Sequence, residues 1–149
     1  MNPAEGNEPL SDDEIVYRRV SDKSGWYEPG SERSVAWEAF KPNRNDATGI
    51  SVWRAKYLTA GETAARHARL NRYYVLALNV GRLRQIGVEV EPSPYEGGIG
   101  HASIVTLNYP AYKNDKNRLR EFAEHIATKL VEHVEGPFGP YEVSDSASA

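Results

Sequence analysis

Alternation of polar and apolar residues, together with continuous apolar runs, predicts five strands along this chain. Residues 15–20 alternate so that Arg18 lies on one face between two valines, while Arg19 lies on the other face beside Tyr17. Residues 73–80 are almost all β-branched, aromatic or aliphatic, which is typical of a strand covered on both faces. The other predicted strands cover residues 50–54, 88–90 and 102–107.

A repeat of apolar residues at helical spacing predicts one long amphipathic helix in the C-terminal part of the chain. It begins at a cap residue, Asn114 or Asp115, and Gly136 followed by Pro137 ends it. Its apolar side is formed by Leu119, Phe122, Ile126, Leu130 and Val134. We expect this helix to pack across one face of the sheet.

Shorter helical segments are predicted in the first two thirds of the chain. Thr59 and Glu62 have the spacing of a capping box, in which each side chain accepts a hydrogen bond from the other residue's backbone N–H. This box predicts a helix from residue 60 to about residue 70. Residues 82–86 predict one or two helical turns, and residues 34–40 predict either a short strand or a helical turn.

The order of these elements predicts an α+β fold in a single domain. A chain of 149 residues is long enough to bury a core of its own. We expect one domain over residues 14–140, with a mixed or antiparallel sheet and the long helix packed on it. The polar, proline-broken residues 1–13 and the Ser/Ala/Asp-rich residues 141–149 are predicted to be flexible tails.

Composition excludes several function classes. The chain has no cysteine, which excludes disulfide scaffolds, thiolate metal sites and a cysteine nucleophile. A net charge of −3 argues against a general nucleic-acid coat, although a local basic patch is compatible with it. No stretch approaches the roughly 20 apolar residues of a membrane span, and the start of the chain lacks the pattern of a secretory signal. We therefore expect a cytoplasmic protein with no membrane partner.

The glycine-rich stretch 93–100 delivers His101 to the start of a predicted strand. His101 is a candidate general base or ligand, and the alternative is a structural histidine after an ordinary turn. The stretch does not match a dinucleotide fingerprint, because a strand follows it instead of a helix. No metal site is expected, because the histidines do not form the i, i+4 pair of a zinc helix; they are His67, His101, His125 and His133.

Arginines supply two further candidate sites. Arg18 lies on an apolar strand face and must bind a carboxylate, a phosphate or a backbone carbonyl, so it is a candidate anion clamp or a structural ion-pair partner. The second candidate is a basic surface. If its arginines share one face, it could bind nucleic acid; the alternative is a charged face that only contacts solvent. Its members are Arg66, Arg69, Arg72, Arg82 and Arg84.

Short motifs in this chain resemble a group of small bacterial proteins of unknown function. The residues that carry the similarity are Val16 to Val20, Ala39-Phe40, Gly49 to Val52 and His101 to Val105. The similarity covers residues 15–107, and it implies a bacterial origin without implying an activity.

The order of some residues also resembles ADP-ribosyltransferase-like folds. Tyr17-Arg18 stands on a first strand, Ser51 on a later strand, and Tyr57 before an alanine-rich helix. The resemblance implies that Arg18 contacts the pyrophosphate of NAD and that Ser51 or Tyr57 lies on the nicotinamide side. It also implies that Glu96 or His101 stands near the reacting ribose.

These observations leave more than one function open. The first hypothesis is a binding or accessory module of a bacterial multi-protein system, of the defence or toxin–antitoxin type, with a protein partner and no cofactor. The alternatives are an NAD-using transferase and a nucleic-acid-binding protein. The enzyme hypothesis requires that Arg18 and His101, with Ser51 or Tyr57, open into one concave pocket.

Overall fold

The computed structural model describes residues 5–21, 26, 35–65, 72–130 and 138–142. Their strands form one six-stranded sheet, in which every pairing is antiparallel and the order is β4-β5-β2-β1-β3-β6. The strands are β1 (Ile15–Ser21), β2 (Ile50–Arg54), β3 (Arg72–Asn79), β4 (Val90–Pro92), β5 (His101–Ile104) and β6 (Phe138–Glu142). The predicted α+β fold is confirmed, and the sheet is antiparallel.

Short helices lie between the strands. They are α1 (Ala60–Ala65), α2 (Val80–Gln85), α3 (Pro94–Gly97), α4 (Tyr109–Asn114) and α5 (Lys116–His125), with a 3-10 turn at Trp37–Phe40. The predicted capping box is present at the start of α1. The Glu62 N–H donates to Thr59 Oγ1 at 3.1 Å and the Thr59 N–H donates to Glu62 Oε1 at 3.0 Å. Residues 66–70 of the predicted helix lie outside the described residues.

The long C-terminal helix is confirmed only in part. Asp115 caps α5 by accepting a hydrogen bond from the Arg118 N–H at 3.1 Å. After His125 the backbone continues as a π-helix over Ile126–Leu130, and the predicted end of the helix lies outside the described residues. No secondary structure was predicted for the segment before Asp115, and in the structure it forms the separate helix α4.

The register of the strands assigns each side chain to one of two sheet faces. On the face that we call the core face, Val16 is opposite Leu78 and Arg18 is opposite Leu76. On the second face, Trp53 is opposite both Tyr17 and His101. The main core forms on the core face, where α2, α5 and the π-helix contribute Leu83, Leu119, Ala123, Ile126 and Leu130. Arg18 and His101 therefore lie on opposite faces of the sheet.

Parts of the two predicted tails make contacts with the rest of the fold. Leu10 is only 3% exposed and belongs to the hydrophobic core. The carbonyl of Glu8 accepts a hydrogen bond from Arg54 at 2.9 Å, which ties this segment to the end of β2. At the other end Tyr141 and Glu142 belong to β6, which pairs with β3. The sequence pattern misses these segments because one buried leucine or one short edge strand produces no periodic signal.

None of the helices in the described part of the chain is long and apolar enough to cross a bilayer.

Candidate functional site

His101 lies at the centre of a hydrogen-bonded cluster on the second face. Its Nε2 is 3.0 Å from Ser51 Oγ, and its Nδ1 is 2.8 Å from Ser93 Oγ and 3.1 Å from the Ser93 carbonyl. Ser93 Oγ in turn is 2.9 Å from Ser103 Oγ. The structure thus brings together two candidates, Ser51 and His101, and adds two serines that the sequence did not indicate.

Packing encloses the imidazole of His101, which is 4% exposed. The ring of Trp53 meets it edge to face, with 5.2 Å between ring centroids. Helix α3 covers it so closely that a Cβ atom on Gly97 would lie 2.5 Å from His101 Cδ2. Gly98 and Gly100 have φ angles of 91° and 97°, values that glycine adopts without strain. The glycines therefore turn the chain and let its backbone approach the histidine, and both ring nitrogens are hydrogen-bonded.

Arg18 donates hydrogen bonds to backbone carbonyls beside the core and does not share a cleft with His101. Its Nε donates to the Ala39 carbonyl and its Nη1 to the Ser51 carbonyl, both at 3.0 Å. Burial lowers the pKa of Arg18 to about 10, against a smaller rise caused by Asp46, so the guanidinium is charged at neutral pH. Of the three kinds of partner predicted for Arg18, these two contacts are of the backbone-carbonyl kind.

The side chain of Tyr57 contacts the N-terminal segment. Its hydroxyl donates to Glu8 Oε1, and Lys56 Nζ lies 2.8 Å from the same oxygen. The side-chain hydrogen bond with Glu8 raises the pKa of the Tyr57 hydroxyl, because the phenolate would lose that bond. Tyr57 thus holds the Glu8 side chain close to the end of β2.

The fully buried Arg54 is the second anchor of that segment, and sequence reasoning did not single it out. Its Nε and Nη2 lie 2.9 and 2.8 Å from the two carboxylate oxygens of Glu14. Its Nη1 donates to the carbonyls of Glu8 at 2.9 Å and Gly6 at 3.3 Å. The planar guanidinium thereby ties residues 6, 8 and 14 to β2.

We expect the anchoring of Glu8 to make stability depend on acid pH. Hydrogen bonds from Lys56, from Tyr57 and from the backbone lower the pKa of Glu8 from 4.5 to about 2. A carboxyl group with a lowered folded-state pKa stabilises the fold above its unfolded-state pKa, and this contribution is lost as the pH falls through the folded-state value. Urea unfolding should therefore show stability that decreases between pH 4.5 and pH 2. In the Glu8→Gln variant this part of the decrease should be missing. If the free energy of unfolding fell equally with pH in the native protein and in the variant, the role of Glu8 would be contradicted.

The other candidates lie apart from this cluster or outside the described residues. Glu96 is exposed on α3 and accepts a hydrogen bond from Thr48 Oγ1 at 3.0 Å. Arg84 is paired with Asp12 at 2.8 Å and with Glu89 at 2.7 Å, while Arg82 is exposed. The remaining members of the predicted basic surface are not described in their side chains; they are Arg66, Arg69 and Arg72.

A basic recess lies between the 41–46 loop and the start of the C-terminal helices. It has a volume of about 440 Å³. Four exposed cations and two half-buried tyrosines line it together with Pro42 and Asn43. The cations are Lys41, Arg44, Lys113 and Lys116, and the tyrosines are Tyr109 and Tyr112.

One backbone hydrogen bond joins the two walls of the basic recess, and side-chain caps fix each wall. The Asn43 N–H donates to Asp46 Oδ2 at 2.8 Å, which closes the loop. The Tyr109 N–H donates to the Asp46 carbonyl at 2.8 Å, which fixes the loop to α4. Asn108 caps α4 by accepting a hydrogen bond from the Ala111 N–H at 2.9 Å. The recess is therefore formed by ordered backbone on both sides.

Within the described part of the chain, no ion pair neutralises the cations of the basic recess. No carboxylate lines it, and none of its cations forms an ion pair with any residue in the described ranges. Elsewhere, by contrast, Lys56, Arg84 and Arg120 lie within 2.8 Å of carboxylate oxygens. Lys41 Nζ lies over the Tyr112 ring, 5.5 Å from its centre, in a cation–π arrangement. The recess can therefore attract an anion.

Sequence reasoning missed the basic recess because its two walls come from segments about 70 residues apart. The first wall, in the 41–49 stretch, has only the Pro, Asn, Asp and Gly composition of a turn. One partial signal was available, since Tyr109, Tyr112 and Lys113 have the i, i+3, i+4 spacing of one helix face; Lys116 belongs to the next helix.

Comparison of this chain with protein-family models, with curated proteins and with solved structures finds no match. The resemblances to small bacterial proteins and to ADP-ribosyltransferase-like folds therefore stay predictions.

Proposed function

We propose that this protein is a non-catalytic binding module and that it holds an anionic group of its ligand in the basic recess. The observation that carries this proposal is the convergence of four cations on one recess, where none of them forms an ion pair with a carboxylate of the described residues; they are Lys41, Arg44, Lys113 and Lys116. A cluster of unneutralised cations is costly in self-repulsion, and a bound anion relieves that repulsion.

The geometry of the other candidates supports a binding module over an NAD-using transferase. The enzyme hypothesis requires Arg18 and His101 in one pocket, and these residues lie on opposite sheet faces. Tyr57 is engaged with Glu8, and Ser51 with His101. These groups take part in hydrogen bonds that stabilise the fold, whereas the cations of the basic recess face solvent.

Calorimetric titration with sodium tripolyphosphate and with a hexaglutamate peptide tests the proposal. We expect binding of at least one probe at low salt, weakening steeply as ionic strength rises because the contacts are ionic. In the double variant Arg44→Glu, Lys113→Glu, which changes one cation on each wall, we expect affinity to fall about 100-fold.

The matched control is the double variant Arg82→Glu, Lys129→Glu. Both residues are exposed and neither forms an ion pair with a described residue, so the change in net charge is the same but lies outside the basic recess. The affinity of this control variant for the probes should stay within about threefold of the native value, because its substitutions act on the bound anion only through long-range electrostatics. Equal losses in the two double variants, or no binding of either probe, would overturn the proposal.

We also propose that this binding module works as part of a system of several proteins. A protein partner, a cytoplasmic location and a defence or toxin–antitoxin system stay predictions. Affinity purification of the tagged chain from its own cells, with and without the Arg44→Glu, Lys113→Glu change, tests the partner. A protein that co-purifies with the native chain and is lost with the variant would support a partner bound through the basic recess.

A further inference from the structure

Resting on the proposed function, we infer that the ligand of the basic recess is a nucleoside di- or triphosphate. The cations bind its phosphate chain, and a tyrosine ring contacts its base. The inference rests on three features of the recess: the density of its positive charge, its aromatic lining and its volume.

Charge density favours phosphate over carboxylate. Four cationic side chains surround a single recess of about 440 Å³. A di- or triphosphate places several negative charges within a few bonds, whereas successive side chains of an acidic peptide are separated by about 3.3 Å of backbone rise. Arg44 adds a planar guanidinium, which can bind two oxygens of one phosphate group. A compact polyanion therefore satisfies the four cations together.

The two tyrosines favour a ligand that also has an aromatic part. Tyr109 and Tyr112 are half-buried and border the same recess as the cations. Tyr112 packs against the hydrophobic core and has Lys41 near its ring, whereas Tyr109 is not part of that packing. We assign base contact to Tyr109. Stacking on an aromatic side chain tolerates every base, so no preference for adenine over guanine is expected.

The size of the basic recess fits a mononucleotide better than a nucleic-acid strand. Its volume of about 440 Å³ lies within the range of small-molecule sites, about 300–1,000 Å³. A strand would require a basic surface that continues beyond the recess, and the net charge of the whole chain is −3. A free nucleotide needs only the local cations.

Calorimetry with ATP, GTP, tripolyphosphate, adenosine and a short single-stranded DNA tests this inference on the full chain. We expect both nucleotides to bind about tenfold more tightly than tripolyphosphate, which lacks the base. Tyr109→Leu should remove most of this tenfold advantage, lowering nucleotide affinity far more than tripolyphosphate affinity. Tyr109→Phe, which keeps the ring, should retain the advantage. Thermal unfolding of each variant shows whether it is folded.

The outcomes separate this inference from the proposed function. If tripolyphosphate binds as tightly as ATP, or if only hexaglutamate binds, the basic recess takes anions but the nucleotide inference is wrong. If DNA binds more tightly than the mononucleotides, the ligand class is nucleic acid and the inference is also overturned. If ATP affinity is unchanged in Arg44→Glu, Lys113→Glu, nucleotides bind elsewhere. If no anion binds, the proposed function fails together with the inference.

Discussion

Replacing Arg54 by methionine should lower the free energy of unfolding by about 3–5 kcal/mol, the range for a buried ion pair that loses one partner. The guanidinium is fully buried, and the Glu14 carboxylate that it binds is only 10% exposed. The variant leaves that carboxylate without its cation and removes the donor to the carbonyls of Gly6 and Glu8. Urea unfolding followed by tryptophan fluorescence measures the change.

Two further variants separate the ion pair from packing. Arg54→Lys keeps the charge but not the planar fork, so its loss should be intermediate. The double variant Arg54→Met, Glu14→Gln should be more stable than Arg54→Met alone, because no unpaired charge stays buried. An Arg54→Met protein within about 1 kcal/mol of the native stability would contradict the anchoring role of Arg54.

Replacing Gly97 by alanine should lower stability by about 3 kcal/mol. The new Cβ would lie 2.5 Å from His101 Cδ2 and 2.6 Å from Cγ. The ring cannot move away without breaking its hydrogen bonds to Ser51 and Ser93. Overpacking and lost buried hydrogen bonds each cost about 1–3 kcal/mol. Thermal and urea unfolding provide the measurement.

Gly61→Ala is the matched control for this change. Gly61 lies in α1, and a Cβ there would meet Tyr141 at an ordinary distance of 3.7 Å. Because alanine is the better helix former, this variant should be as stable as the native protein or more stable, by up to about 1 kcal/mol. Equal losses at positions 61 and 97 would show that close packing on His101 is not what requires Gly97.

The fold was largely predictable because its main elements have local signals. The alternation around Arg18 and Arg19 gives β1 with the correct faces, and Thr59 with Glu62 gives the start of α1. Strand β6 and the buried Leu10 were missed, because the pairing of β6 with β3 and the packing of Leu10 into the core are long-range contacts that a short segment does not encode. The π-helix after His125 was missed for another reason, since its residues continue the apolar repeat of an α-helix.

The candidate site was less predictable than the fold. The sequence singled out Ser51 and His101, and the structure joins them by a hydrogen bond. The enzyme hypothesis required Arg18 to lie in the same pocket as Ser51 and His101. The strand register instead places Arg18 on the core face, opposite to theirs. The basic recess depends on a loop docking on a helix about 70 residues later, through backbone atoms that carry no residue-specific signal.

The central claim is that this protein binds its ligand in the basic recess and not at the His101 cluster. Titration of the ¹⁵N-labelled chain with tripolyphosphate, followed by amide NMR shifts, tests it most directly. We predict salt-sensitive shifts in residues 41–46 and 109–116, with the amides of Ser51, Ser93 and His101 unchanged. Shifts confined to Ser51, Ser93 and His101, with the basic recess unaffected, would contradict the claim.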